Sequence, residues 1–103
     1  KIPFMKKKPV LLSKKAQSSF HDIMKFTEEK WGKEEFEKLK ERTLSLINVI
    51  ESNPFAFSIV DKNRDLRRAP LIKEISVFYR IRETRITILA FWHNSRNPSS
   101  LKL

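Results

Sequence analysis

The chain carries two histidines, one tyrosine and no cysteine, so proton transfer near neutral pH falls to His21 or His93. His93 closes the apolar run Ile88-Leu89-Ala90-Phe91-Trp92 and is followed by Asn94, Arg96 and Pro98. An imidazole placed there can act as a general acid or base at the mouth of a site, or it can simply end a buried strand. His21 sits beside Phe20 and Asp22 in a helical pattern, with no metal-ligand spacing to His93. Without cysteine there is no thiolate nucleophile, thiolate zinc site or disulfide. With a single glycine there is no glycine-rich phosphate loop. No metal and no cofactor are expected.

These residues need a frame, and the apolar pattern supplies one. Val10 to Leu12, after Pro9, make a short first strand, and Ser13 suits the N-cap of the helix that follows. From Ala16, apolar residues recur at Phe20, Ile23, Met24 and Trp31, with Thr27 filling the remaining slot of one helical face. Trp31 is expected to anchor the helix end in the core. Gly32 stops this helix, and Glu34 and Glu35 suit the positive N-terminus of a second. That helix gathers Phe36, Leu39, Thr43, Leu46, Ile47 and Ile50 on one side and ends at Asn53-Pro54. Residues 55–65 lack a clear period and read as a loop.

Three strand-like runs follow, at 66–72, 75–81 and 85–92. Alternation places Ile75, Val77, Tyr79 and Ile81 on one face, with Ile86, Ile88, Ala90 and Trp92 of the next strand. The opposite face then shows Ser76, Phe78, Arg80, Thr87, Leu89, Phe91 and His93, a mixture of polar and aromatic residues that invites a cover. The expected fold is α+β in the order β-α-α-β-β-β, an antiparallel sheet with a helical hairpin packed on one face.

A length of 103 residues and 12.3 kDa suits one domain. Residues 9–98 are expected to form it. Residues 1–8 then form an N-terminal extension, in which Met5 stands like an initiator and Lys1 to Phe4 are an added or upstream segment, and residues 99–103 form a tail. The apolar stretches are too short for a bilayer span, and a cysteine-free chain suits a reducing cytoplasm. The net charge of +10 (22 Lys and Arg minus 12 Asp and Glu) asks for an acidic partner. Six lysines and no acid fall within residues 1–15, and from Arg80 onward five bases oppose one acid, so the excess sits at the two ends of the chain. If those ends meet, they make one basic face.

The ordered set PVLLSKKAQ, EKWGKEEFEKL, INVIESNPF, LRRAPLIKEISVFYRI and RITILAFWHNSRNP resembles the RelE/ParE toxins of bacterial type II toxin–antitoxin systems, in particular the ParE-like branch. The resemblance spans Pro9 to Pro98. It implies a cytoplasmic toxin neutralised by a cognate antitoxin with an acidic binding segment. Its target would be DNA gyrase, bound without chemistry, or the ribosome, where relatives act as mRNA endonucleases.

Cleaving RNA through its 2′-oxygen requires proton transfer and cations around the phosphate. His93 is the candidate for the first role, Arg80 and Arg68 for the second, and Tyr79 is a possible donor. The nuclease branch has a tyrosine after its strand-ending histidine and an arginine early in the preceding strand, where this chain has Asn94 and Ser76. The constellation is incomplete, which favours the non-enzymatic poison and the reading of His93 as a strand end. A ribosome-dependent endonuclease and a non-toxic basic nucleic-acid-binding module are the alternatives. Phe78, Arg80, Leu89, Phe91 and Arg96 are the expected partner-binding residues, aromatic and aliphatic anchors rimmed by charge.

Overall fold

Ser13 starts the helical hairpin where its side-chain chemistry predicts. In the computed structural model, which describes residues 8–102, its hydroxyl accepts the Ala16 amide at 3.1 Å and caps helix α1 (Lys14–Trp31). Gly32, at φ 94°, ends α1 and opens α2 (Lys33–Ser52), in a backbone conformation that disfavours any Cβ. Asn53 closes α2, its amide donating to the Val49 carbonyl. Strand β1 (Val10–Leu12) precedes the hairpin; β2 (Ile59–Asp61), β3 (Leu66–Ile72), β4 (Ile75–Ile81) and β5 (Ile86–His93) follow it. Residues 1–7 of the expected N-terminal extension, Met5 and Lys1 to Phe4 included, lie outside the described residues.

The strands lie in the order β1-β5-β4-β3-β2. All neighbours are antiparallel except β1, which runs parallel to β5 in the register Val10 to Ile86. β2 corrects the loop expected at residues 55–65. It is an edge strand of three residues, too short for alternation to reveal, with Ile59 and Val60 on the surface. The hairpin packs on one face of the sheet. Ile23, Met24, Leu39 and Ile50 meet Val77, Tyr79, Ile86 and Ile88 there, with Phe20, Phe36, Leu46 and Ile47 partly buried at the margin. Thr43 enters this core because its hydroxyl donates to the Leu39 carbonyl at 2.8 Å.

The pairing register also shifts at Ile59/Asp61 and Pro70/Ile72, but the shift in β5 is the one that moves candidate site residues. Phe78 lies opposite Ala90 and Tyr79 opposite Ile88, which leaves Leu89 as an extra residue in a bulge. Beyond it the faces exchange. Phe91 turns into the helix-side core, its ring centroid 4.9 Å from that of Phe20, while Ala90 and Trp92 turn to the other face. The expected placement of these residues is thereby reversed. The bulge lies where β1 has ended and β5 has become an edge. Hydroxyls of the N-cap and first turns of α1 take up its backbone groups instead: Ser13 Oγ donates to the Leu89 carbonyl at 3.2 Å, and Ser19 Oγ accepts the Phe91 amide at 3.0 Å.

The face away from the helices carries a second, smaller core of Leu66, Phe78, Ala90 and Trp92, closed by Leu101. A 3₁₀ turn at Pro98–Ser100, capped by the Asn97 side chain, brings Leu101 there. Arg64 fastens the segment by donating to the carbonyls of Leu101 at 2.5 Å and Pro98 at 3.1 Å. The expected tail is thus packed against the domain.

Candidate functional site

The three catalytic candidates are not brought together. His93 is exposed on the helix side, opposite Ile75, at one end of the sheet. Arg80 lies on the other face, five residues further along β4, about 17 Å away at the usual rise per residue. Its Nε and Nη2 both donate to the Arg64 carbonyl, at 3.2 and 2.8 Å. Burial, and then the nearby Arg82 charge, push its pKa below the ordinary arginine value. Arg68 is engaged as well. Its Nε donates to Ser76 Oγ at 2.9 Å and its Nη2 to Asn94 Oδ1 at 2.8 Å, while Ser76 Oγ donates to the same Asn94 oxygen at 2.7 Å. The two residues that stand where the nuclease branch has arginine and tyrosine therefore form, with Arg68, a closed structural network. Tyr79 faces the helices and donates to the Pro54 carbonyl at 2.6 Å. Burial raises its phenol pKa, so it holds its proton.

The expected partner-binding residues are dispersed too. Phe78 is buried in the small core and Phe91 in the large one, so neither is a surface anchor. Leu89 is half-buried at the bulge. Arg80 is held by the Arg64 carbonyl, and Arg96 lies over the Trp92 ring, 4.3 Å from its centroid. The basic ends do approach each other: Lys8 Nζ donates to the Arg82 carbonyl at 2.8 Å, beside the β4–β5 turn. Among the described residues no cluster of side chains could hold a metal ion.

One concave feature was missed by the pattern. A groove of about 840 Å³ runs between the hairpin's glycine end and the β3–β4 turn. Phe26 and Trp31 stand on its wall, 54% and 62% exposed. Trp31 is thus not the core anchor its spacing suggested. Phe26 fell outside the Phe20-Ile23-Met24-Thr27 stripe, and an aromatic residue off the stripe was the available signal. His93 lines the same groove.

A helical hairpin on one face of a mostly antiparallel sheet defines an α+β fold. Residues 10–98 match the family described as ParE toxin of type II toxin-antitoxin system, parDE, and the chain belongs to that family. Solved structures agree at the level of fold. The chromosomal ParDE toxin–antitoxin system of P. aeruginosa matches with TM-score 0.72 at 15% identity, over 84% of this chain and 96% of that one. The YoeB/ParE toxin of Agrobacterium tumefaciens gives 0.61 at 13% over 84% and 98%, and the E. coli DinJ-YafQ toxin-antitoxin complex 0.60 at 7% over 86% and 94%. No curated protein matches the sequence.

Proposed function

We propose that this chain is the toxin of a type II toxin–antitoxin pair, held inactive in the cytoplasm by a cognate antitoxin, and that it arrests growth by binding a protein target such as DNA gyrase. The observation that carries this reading is the dispersal of His93, Arg68 and Arg80 over two faces of the sheet, with both arginines engaged in structural hydrogen bonds. A nuclease needs its proton carrier and its phosphate cations within reach of one phosphodiester. A poison that works by binding has no such requirement.

Induction in bacteria, with DNA breaks and mRNA integrity followed together, tests the reading. Breaks without site-specific mRNA cleavage are expected, and His93→Gln should leave growth arrest largely in place. Site-specific cleavage on programmed ribosomes that disappears in His93→Gln would overturn the poison and establish the endonuclease.

A further inference from the structure

The end of the sheet farthest from His93 gathers cations. The β4–β5 turn carries Arg82 and Arg85, Lys8 lies just before β1, and the β2–β3 turn brings Lys62 and Arg64 beside Arg80. Lys8 Nζ donates to the Arg82 carbonyl at 2.8 Å, and the Arg80 guanidinium donates to the Arg64 carbonyl at 2.8 Å. Arg64 itself is engaged by Asp61 at 2.7 Å and by the C-terminal segment. The other five cations are opposed there by Asp65 and Glu83 alone. The one ion pair between these groups, Arg82 with Asp65 at 3.9 Å, joins half-exposed side chains and neutralises little. Lys62, Arg82 and Arg85 are exposed, and Lys8 and Arg80 partly so.

We propose that this basic end is a binding surface for duplex DNA, its cations set on the phosphates of the two backbones that flank a major groove, without reading sequence. None of the large apolar side chains exposed among the described residues belongs to residues 61–66 or 80–87. The surface therefore lacks the aromatic and aliphatic anchors of a protein interface, and the rings on which a single strand would stack its bases. A phosphate backbone asks only for positive charge and N–H donors. The spacing suits two backbones. From β1 to β3 the row of cations crosses three strand separations, about 14 Å, against a major groove of about 12 Å in B-form DNA. The narrow major groove of an RNA duplex matches it less well. This contact is made by the chain alone, whichever protein the toxin arrests.

Fluorescence anisotropy of a labelled DNA duplex of about 20 base pairs, titrated with the purified full chain at about 50 mM salt and upward, tests this. Saturable binding is expected, with log affinity falling against log salt at a slope of about −3 to −4. Arg82→Gln with Arg85→Gln should lose about tenfold in affinity and make that slope shallower by about 2. Arg82→Lys with Arg85→Lys keeps the charge and should stay within about threefold. Lys30→Gln with Lys73→Gln removes the same charge from the opposite end of the molecule, beside the groove, and should stay within about twofold. Circular dichroism checks that each variant is folded.

No rise in anisotropy up to about 10⁻⁴ M chain, the weak limit of non-specific DNA binding, would overturn the assignment. So would equal losses in the two glutamine variants, which would make the effect one of net charge and not of this surface. A single- or double-stranded RNA of the same length that binds more tightly than the DNA, and is lost in Arg82→Gln with Arg85→Gln, would overturn DNA in favour of RNA. The assay contains neither antitoxin nor gyrase, so each of these outcomes leaves the toxin reading to its own test.

Discussion

Asn94 shows how a residue that looks like a gap in a catalytic set can have a structural purpose. Its side-chain oxygen accepts from both Arg68 and Ser76, and its amide donates to the Lys73 carbonyl at 2.8 Å. Asn94→Ala would leave a buried hydroxyl and a guanidinium N–H without their acceptor. A loss of about 1–3 kcal/mol is expected in urea denaturation. A loss near zero would mean that water replaces the amide without cost. Tyr79 predicts a pH dependence. Its folded pKa is raised above the ordinary 10.0, so its contribution is fully present below about pH 10 and is lost as pH rises through the folded value. Alkaline melts should show that decline, and Tyr79→Phe should flatten it while lowering stability at neutral pH through the lost bond to the Pro54 carbonyl.

At the scale of elements, Gly32 is the hinge of the hairpin. A Cβ there would meet nothing within 4 Å, so the objection to alanine is conformational, at φ 94° and ψ 175°. Gly32→Ala should cost roughly 1–3 kcal/mol without disturbing the core, as a melting curve with unchanged cooperativity would show. The hairpin was legible because its signals are local: a serine cap, a three-four apolar spacing, one glycine and an Asn-Pro stop. β3 and β4 were legible to the residue. The face of Phe91 and His93 was not. From Ile88 to Trp92 every residue is apolar, so both parities look buried and a one-residue bulge leaves no mark. What accompanies the bulge is tertiary, namely the end of β1, the N-cap Ser13 and Ser19 of α1. The same error carried into the candidate site. It placed Phe91 on an open surface and joined His93 to Arg80 on one face, whereas His93 lines a groove on the helix side with Phe26 and Trp31.

The molecule as a whole is a sheet sealed on both faces, one by the hairpin and one by the C-terminal segment. Leu101, 2% exposed, is the principal cover of the second face. Leu101→Ala should therefore cost about 2–5 kcal/mol, a core-sized loss from a position that composition alone would leave in a tail. A cost below 0.5 kcal/mol, roughly that of an exposed site, would show that the segment lies on the surface without holding it. The net charge of +10 is compatible with this packing because no lysine or arginine among the described residues is fully buried.

The parallel pairing of β1 with β5 joins Val10 to Ile86, the first strand of the sheet to the last. A ribosome adding about 5–20 residues per second takes roughly 4–15 s to travel between them. Once Ser52 has been added, both helices of the hairpin are made before the strands that cover their apolar stripe, and no chain halted before Ile86 can complete the sheet. Synthesis itself therefore sets a delay between making this polypeptide and having a folded one, and a partner present at the exit tunnel would meet the chain before its surfaces are finished.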